Sequence, residues 1–122
     1  MKQHETINYL ELPARDLIAT KRFFERVFNW QFEDFGPDYT AFYAKEAGLD
    51  GGFYRVDLRA SSDQGAALIV FYSADLSATL LKIEQAGGDI IKPIFDFPGG
   101  KRFHFTEPSG NEFAVWSDQA VN

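Results

Sequence analysis

The chain has 122 residues, enough for a single domain over residues 1–122. Its formal net charge of -6 argues against binding to nucleic acid or to an anionic membrane, because both select basic proteins. The sequence has no cysteine, which excludes disulfides, thiolate metal sites and a cysteine nucleophile. No apolar run is long enough for a signal core or a membrane span, so we expect a cytoplasmic protein.

The first half of the chain predicts one strand, one helix and three further strands. Alternating apolar residues predict a strand over 7–12, and Asp16 stands where the N-cap of a helix belongs. A phenylalanine-rich face opposite a charged face then predicts an amphipathic helix over 17–28. Turn residues separate the predicted strands that follow, over 30–35, 39–44 and 52–56.

The second half repeats this order after a polar linker, which we predict over 58–65. A strand over 66–72 and a helix over 76–86 precede strands over 89–93, 102–106 and 111–116. The residues from Glu107 to Gly110 predict a type I turn in a final hairpin. The segment 95–100, rich in proline and glycine, predicts a loop, and its two phenylalanines make it a candidate lid.

A short internal repeat joins the two halves. The sequence DLIAT at 16–20 recurs as DLSAT at 75–79, an offset of 59 residues. Two copies are too few for a solenoid of stacked repeats. The repeat therefore predicts two similar modules, over about 6–57 and 66–118, with a site where they meet.

Three motifs carry a resemblance to a known family: LPARDL at 12–17, FFERVFNW at 23–30 and FTEPSGNEF at 105–113. Together they resemble the glyoxalase, bleomycin-resistance and extradiol-dioxygenase superfamily, also called the vicinal oxygen chelate superfamily. The resemblance implies an α+β fold of two βαβββ modules that form a curled eight-stranded mixed sheet around a cleft. It places the helices on the outer face, and it also implies a homodimer.

The resemblance further implies where metal-binding members carry their His or Glu ligands. Those positions are Tyr9, Leu68 and Ala114 here, with Arg55 or Tyr54 as the fourth. None has the side chain that a divalent site of this type needs. We therefore predict no metal and no cofactor. The histidines do not rescue the site, because His4 would shift the first strand by five residues and His104 lies on the penultimate strand.

Alternation along the strands predicts which residues line the cleft. Aromatic rings and two carboxylates among them suit a flat or cationic organic molecule. The alternative is that the rings cover an interface and that Glu11 and Glu112 are half-exposed sheet residues. The orientation of His104, a possible general base, stays open at this point. The candidate ligand-binding residues are Tyr9, Glu11, Tyr54, Leu68, Val70, Tyr72, His104, Glu112, Ala114 and Trp116.

Three functions remain open. The first is a metal-independent small-molecule-binding protein of the glyoxalase/bleomycin-resistance type, with an aromatic or cationic ligand. The second is a lyase, isomerase or dioxygenase-like enzyme, either metal-free through Glu112, His104 or Tyr9, or with metal ligands elsewhere. The third is a structural or regulatory subunit whose own side chains fill the cleft. The aromatic, acidic lining favours the first, and the catalytic residues of the second are undetermined.

Overall fold

The computed structural model describes residues 2–43 and 48–119. The first module consists of β1 (Tyr9–Ala14), α1 (Leu17–Phe28), β2 (Gln31–Asp34), β3 (Tyr39–Tyr43) and β4 (Asp50–Arg55). The second consists of β5 (Ile69–Tyr72), α2 (Leu76–Gln85), β6 (Asp89–Phe97), β7 (Gly100–Thr106) and β8 (Glu112–Ser117). A short 3-10 helix, Ser62–Gln64, lies between them. Ala44, the predicted end of the third strand, lies outside the described residues.

Both helices begin as the repeat predicts. Asp16 and Asp75 have extended backbones, and their carboxylates accept hydrogen bonds from Ala19 N at 3.0 Å and Ala78 N at 3.2 Å. These bonds satisfy amides that the first turn of a helix leaves free. Helix α1 ends at Asn29, whose left-handed backbone (φ 61°) stops the helix.

The strands confirm two βαβββ modules of the α+β class. Their order is β1-β4-β3-β2 in the first sheet and β5-β8-β7-β6 in the second. In each sheet the first and last strands of the module pair in parallel and the other pairs are antiparallel. The eight strands thus form two separate four-stranded sheets within the described residues, rather than one continuous sheet.

Helix α1 joins the two sheets into one hydrophobic core. The ring of Phe24 stacks on Phe53 of β4 with centroids 5.6 Å apart, and it meets Phe113 of β8 edge-on at 5.4 Å. On the same helix, Phe23 packs on Phe105 of β7 at 5.8 Å. The helices also contact each other. Each sheet therefore turns one apolar face to the helices and leaves its other face for a site.

Polar contacts around the turn between β7 and β8 also join the modules. The buried Asn111 donates through Nδ2 to Pro13 O at 2.6 Å and accepts at Oδ1 from Ala60 N at 2.7 Å. One amide side chain therefore holds the first strand, the linker and the final hairpin together.

The predicted loop over 95–100 is wrong. Strand β6 continues to Phe97, and only Pro98 and Gly99 separate it from β7. The pairing of β6 with β7 shifts register twice, between Ile90 and Lys92 and again between Lys92 and Phe95. The second register shift includes Pro93, which has no N–H to donate to a neighbouring strand. Because β6 is an edge strand, the sheet tolerates this proline. Phe95 and Phe97 therefore belong to the sheet, and the lid hypothesis is wrong with the loop.

Among the described residues, neither helix is both long enough and apolar enough to cross a membrane.

Candidate functional site

The strand pairing corrects one correspondence between the modules. Pro13 and Tyr72 occupy equivalent positions, each three residues before the aspartate that caps its helix. Pro13 pairs with Tyr54, and Tyr72 pairs with Trp116. Tyr54 is therefore the counterpart of Trp116. By the same pairing Gly52 is the counterpart of Ala114. The prediction that Arg55 or Tyr54 is the fourth position is therefore wrong. The second module has three more residues between its helix cap and Ala114 than the first has between its cap and Gly52.

The corrected position also lacks a metal-binding side chain. Glycine and alanine, at positions 52 and 114, carry no donor atom, and Leu68 is apolar. No group of three or more His, Cys, Asp or Glu residues close enough to hold a metal occurs in residues 2–43 and 48–119. The donor set thus does not fit a divalent metal at the positions implied by the family. Metal independence stays a prediction, to be tested by metal analysis.

Six of the ten predicted residues share the open face of the second sheet. His104 pairs with Ala114 of β8, which in turn pairs with Val70 of β5, and paired residues point to one side of a sheet. This settles the orientation of His104, which the sequence left open. We call this surface the His104 face. It includes Val70, Tyr72, Lys92, Phe95, Phe97, Arg102, His104, Glu112, Ala114 and Trp116.

Hydrogen bonds fix the tautomer of His104. Its Nδ1 lies 2.9 Å from Glu112 Oε2, and its Nε2 lies 3.0 Å from Arg102 Nη2. Arginine only donates, so Nε2 must accept and the proton must be on Nδ1, which donates to the carboxylate. The buried imidazole (5% exposed) is therefore neutral in this arrangement, with both nitrogens engaged.

Glu112 is held by the linker as well as by His104. Its Oε1 accepts from Ser62 N and Ser62 Oγ, both at 2.8 Å. Burial raises the pKa of Glu112, but the hydrogen bonds from His104 and Ser62 outweigh it and lower that pKa below its ordinary value of 4.5. An ionised, 7% exposed carboxylate with these partners orients His104. Contact between Glu112 and a ligand stays a prediction.

Arg102 was missed by the sequence analysis. Its guanidinium lies over the rings of Phe95 and Phe97, with its carbon 5.9 and 5.5 Å from their centroids. Its Nε is buried and has no hydrogen-bond partner in residues 2–43 and 48–119. Phe97 also meets Trp116 edge-on at 6.1 Å. A signal existed, because a residue two positions from His104 on a strand lies on the same face.

The other predicted residues lie elsewhere. Tyr9, Glu11 and Tyr54 lie on the open face of the first sheet with Tyr39, which pairs with Tyr54. We call these four residues the Tyr39 face. Leu68 precedes β5 and is half-buried. The structure therefore distributes the predicted lining over two sheets.

A hydrogen-bonded cluster occupies the Tyr39 face. Tyr39 Oη donates to Glu11 Oε2 at 3.0 Å and shares a short hydrogen bond with Tyr9 Oη. Burial, followed by these two hydrogen bonds, raises the pKa of Tyr39. A Cβ built at Gly52 would be 2.1 Å from Tyr39 Oη, so the glycine makes room for the phenol. The carboxylate and the aromatic rings of the Tyr39 face suit a cationic ligand.

The family follows from the sequence as a whole. Residues 6–115 match the model of the Glyoxalase/Bleomycin resistance protein/Dioxygenase superfamily. The match covers most of the chain, and the chain belongs to this superfamily. No curated protein matches the chain in sequence.

Solved structures share the fold. A glyoxalase-related enzyme from Fulvimarina pelagi has a TM-score of 0.73 and 18% identity, covering 98% of both chains. A lactoylglutathione lyase from Agrobacterium tumefaciens has a TM-score of 0.68 and 18% identity, covering 95% of this chain and 96% of the other. A variant of the fosfomycin resistance protein FosX from Listeria monocytogenes, complexed with manganese(II), has a TM-score of 0.76 and 17% identity. It covers 98% of this chain and 94% of its own. At these identities the likeness concerns the fold alone.

Proposed function

We propose that the chain is a metal-independent small-molecule-binding protein of the glyoxalase/bleomycin-resistance type, with its ligand on the His104 face. The observation that carries the proposal is the Arg102 side chain. It lies on two aromatic rings beside a fixed, neutral histidine. A surface of rings with a few convergent polar groups is the usual composition of a small-molecule site.

The geometry refines the expected ligand. Phe97, Trp116 and Tyr72 form a chain of edge-on ring contacts, which offers ring faces and edges to a flat aromatic molecule. Arg102 offers a donor to a polar group on that molecule. Glu112 is buried, and both of its carboxylate oxygens accept hydrogen bonds from His104 and Ser62. Glu11 is exposed, and Tyr39 donates to its Oε2 alone among the described residues. We therefore assign any cationic part of the ligand to Glu11, which a ligand on the His104 face would reach across the dimer proposed below.

We also propose a homodimer. In the described part of the chain, no hydrogen bond or ring contact joins the Tyr39 face to the His104 face, and they lie on separate sheets. Both carry exposed rings, including Tyr9 and Tyr54 on one and Tyr72 and Phe95 on the other. A second copy that places its first sheet opposite the second sheet of its partner would cover both sets of rings. Sedimentation equilibrium at micromolar concentration tests this, and a mass of one chain would contradict it.

A specific observation also favours a second candidate function, a metal-free lyase or isomerase. A histidine whose Nδ1–H donates to a buried carboxylate has the orientation of a general base. However, Nε2 already accepts from Arg102, so His104 takes a proton only if a substrate displaces that guanidinium. The structure as it stands thus supports binding more directly than catalysis.

A ligand screen separates these readings. Thermal shifts and calorimetry with small aromatic compounds, neutral, anionic and cationic, should find ligands that bind wild type and bind Arg102→Lys less tightly. Arg22→Lys is the matched control for Arg102→Lys, because Arg22 is exposed on α1 and lies outside both faces. For the removal of a ring the control is Phe35→Ala, because Phe35 is an exposed ring outside both faces. Ligands that bind wild type and Arg102→Lys equally would contradict the site assignment. Turnover of a bound compound, abolished by His104→Gln, would favour the enzyme.

A further inference from the structure

Two positively charged side chains adjoin His104 on its face. Lys92 of β6 pairs with His104, while Arg102 precedes it by two residues on β7 and donates to its Nε2. Lys92 is exposed. Within residues 2–43 and 48–119, no carboxylate forms an ion pair with either cation. The described part of the chain thus places two positive charges here without a counter-ion, although the net charge of the chain is -6.

The carboxylates on and beside this face have other partners. Both oxygens of the buried Glu112 already accept hydrogen bonds from the chain. Asp118, which follows β8, accepts at Oδ1 from Tyr72 Oη at 2.6 Å. Lys92 and Arg102 are therefore available to an anion that comes from outside the chain.

The guanidinium of Arg102 is positioned before any ligand arrives. Its carbon lies 5.9 and 5.5 Å from the ring centroids of Phe95 and Phe97, and Nη2 donates to His104 at 3.0 Å. Nε is buried and out of reach of a ligand. Nη1 is not among the buried unpaired nitrogens of the described residues, so it is the end that a ligand can meet. A guanidinium held in this way loses little freedom when it binds an acceptor.

We propose that the group which the ligand presents to Arg102 is a carboxylate attached to its aromatic ring, and that Lys92 attracts the same carboxylate. This inference rests on the proposed function, because it concerns a ligand on the His104 face. A carboxylate accepts charge-assisted hydrogen bonds from a guanidinium, which are roughly twice as strong as bonds between neutral groups. A neutral carbonyl would use Arg102 alone and gain nothing from the charge of Lys92.

The surroundings of Arg102 suit this ligand in two further ways. His104 separates the carboxylate from Glu112, because its two ring nitrogens bond to Arg102 on one side and to Glu112 on the other. Trp116 pairs with Arg102 on the neighbouring strand, so the ring of the ligand lies against the indole.

Naphthoate and naphthamide test the charge, because they have nearly the same shape and only naphthoate is anionic at neutral pH. In titration calorimetry naphthoate should bind wild type roughly tenfold more tightly, and added salt should reduce this preference. Lys92→Gln should weaken the binding of naphthoate roughly threefold and leave that of naphthamide unchanged, since an exposed charge contributes modestly. Lys82→Gln removes an exposed charge from α2 and is the matched control, which should change neither affinity.

Nuclear magnetic resonance locates the bound naphthoate independently of these variants. The chain has two tryptophans, so ¹⁵N-labelled protein gives two indole signals, and Trp116→Phe identifies the signal of Trp116. Naphthoate should shift the Trp116 signal and leave that of Trp30 in place. A shift of Trp30 alone would overturn the proposal.

The affinities separate this inference from the proposed function. Equal binding of the two probes to wild type, weakened for both by Arg102→Lys, would overturn the carboxylate and leave the proposed function standing. Binding of neither probe would also overturn the carboxylate, and the proposed function would fail with it only if no compound of the wider screen bound. If Lys92→Gln changed the sedimentation mass but not the affinity for naphthoate, the counter-ions would be carboxylates of a second copy, and the proposal would be wrong.

Discussion

Thr20 Oγ1 donates to Glu107 Oε2 at 2.6 Å, across the junction between the two modules and within a buried environment. Glu107 also accepts at Oε1 from Ser109 N at 2.7 Å. The threonine is the fifth residue of the first repeat, and Thr79 is its counterpart in the second. There the only described side-chain partner of the hydroxyl is the hydroxyl of Ser73, at 2.7 Å. The repeat thus uses one residue type for two tasks, one between modules and one within a module.

The first prediction compares these two threonines. Thr20→Val leaves a buried carboxylate short of one donor and also breaks the 2.7 Å hydrogen bond between the Thr20 and Ser109 hydroxyls. We expect it to lower the free energy of unfolding by about 1–3 kcal/mol. Thr79→Val is the matched control and should cost about 0.5–1.5 kcal/mol, because it breaks a bond between neutral hydroxyls. Urea unfolding of both variants measures the difference. Equal losses would show that the charge of Glu107 is unimportant.

The second prediction concerns the pH dependence that Glu107 causes. Burial raises the pKa of Glu107 above its ordinary 4.5, and the hydrogen bonds from Thr20, Asn111 and Ser109 offset this only in part. Between pH 4.5, the ordinary pKa, and the higher pKa of the folded state, the folded protein binds more protons than the unfolded chain. In this interval Glu107 therefore makes the free energy of unfolding fall as pH rises. Glu107→Gln should remove that fall, and its stability relative to wild type should therefore increase with pH above 4.5. Unfolding curves from acid to neutral pH test this, and a constant difference would contradict it.

The third prediction concerns Glu112, whose pKa is shifted in the opposite direction. Because its folded pKa is lowered, Glu112 contributes stability above its ordinary pKa of 4.5, and this is lost as pH falls through the folded value. Glu112→Gln should weaken this acid-side dependence and also release the tautomer of His104. Ring ¹⁵N shifts should show Nδ1 protonated in wild type and a mixture in the variant. The exposed Glu25→Gln serves as the control, and unchanged shifts in Glu112→Gln would refute the orienting role.

The fourth prediction tests the aromatic part of the His104 face. For a ligand found in the screen, Trp116→Ala should remove about 0.5–1.5 kcal/mol of ring contact beyond the loss of buried area. That term alone weakens binding roughly threefold to tenfold. Titration calorimetry of the variant and of Phe35→Ala measures it. If both variants bind as tightly as wild type, Trp116 covers an interface instead.

The fifth prediction is metal independence. Because glycine and alanine stand at two of the positions where the family implies ligands, protein purified without a histidine tag should contain well under one equivalent of divalent metal. A chelator should leave its melting temperature unchanged, since no bound metal would stabilise the folded state. One tightly bound metal ion per chain would contradict this prediction and favour the metalloenzyme hypothesis.

Local signals in the sequence were sufficient to predict the two βαβββ modules. Asp16 and Asp75 cap their helices because a short side chain and the nearest free amides decide the geometry. The end of β6 could not be obtained in this way, because its register shifts depend on pairing with β7 at a sheet edge. The same limit applies to the site. Ser62 donates two hydrogen bonds to Glu112 because of the path that the linker takes. The periodicity of the sequence does not predict that path.

The position of Asn111 has a consequence for how the protein comes apart. Its two hydrogen bonds reach Pro13 in β1, 98 residues away in sequence, and Ala60 in the linker, 51 residues away. A fragment that stops before the last hairpin would leave both of these main-chain groups without their partner. Phe23 and Phe24 of α1 would also lose their contacts with Phe105 and Phe113. We therefore expect the halves, although each repeats the same design, to be unable to fold as independent pieces, and the chain to unfold in a single transition. Under this expectation, the duplicated architecture behaves as one cooperative unit.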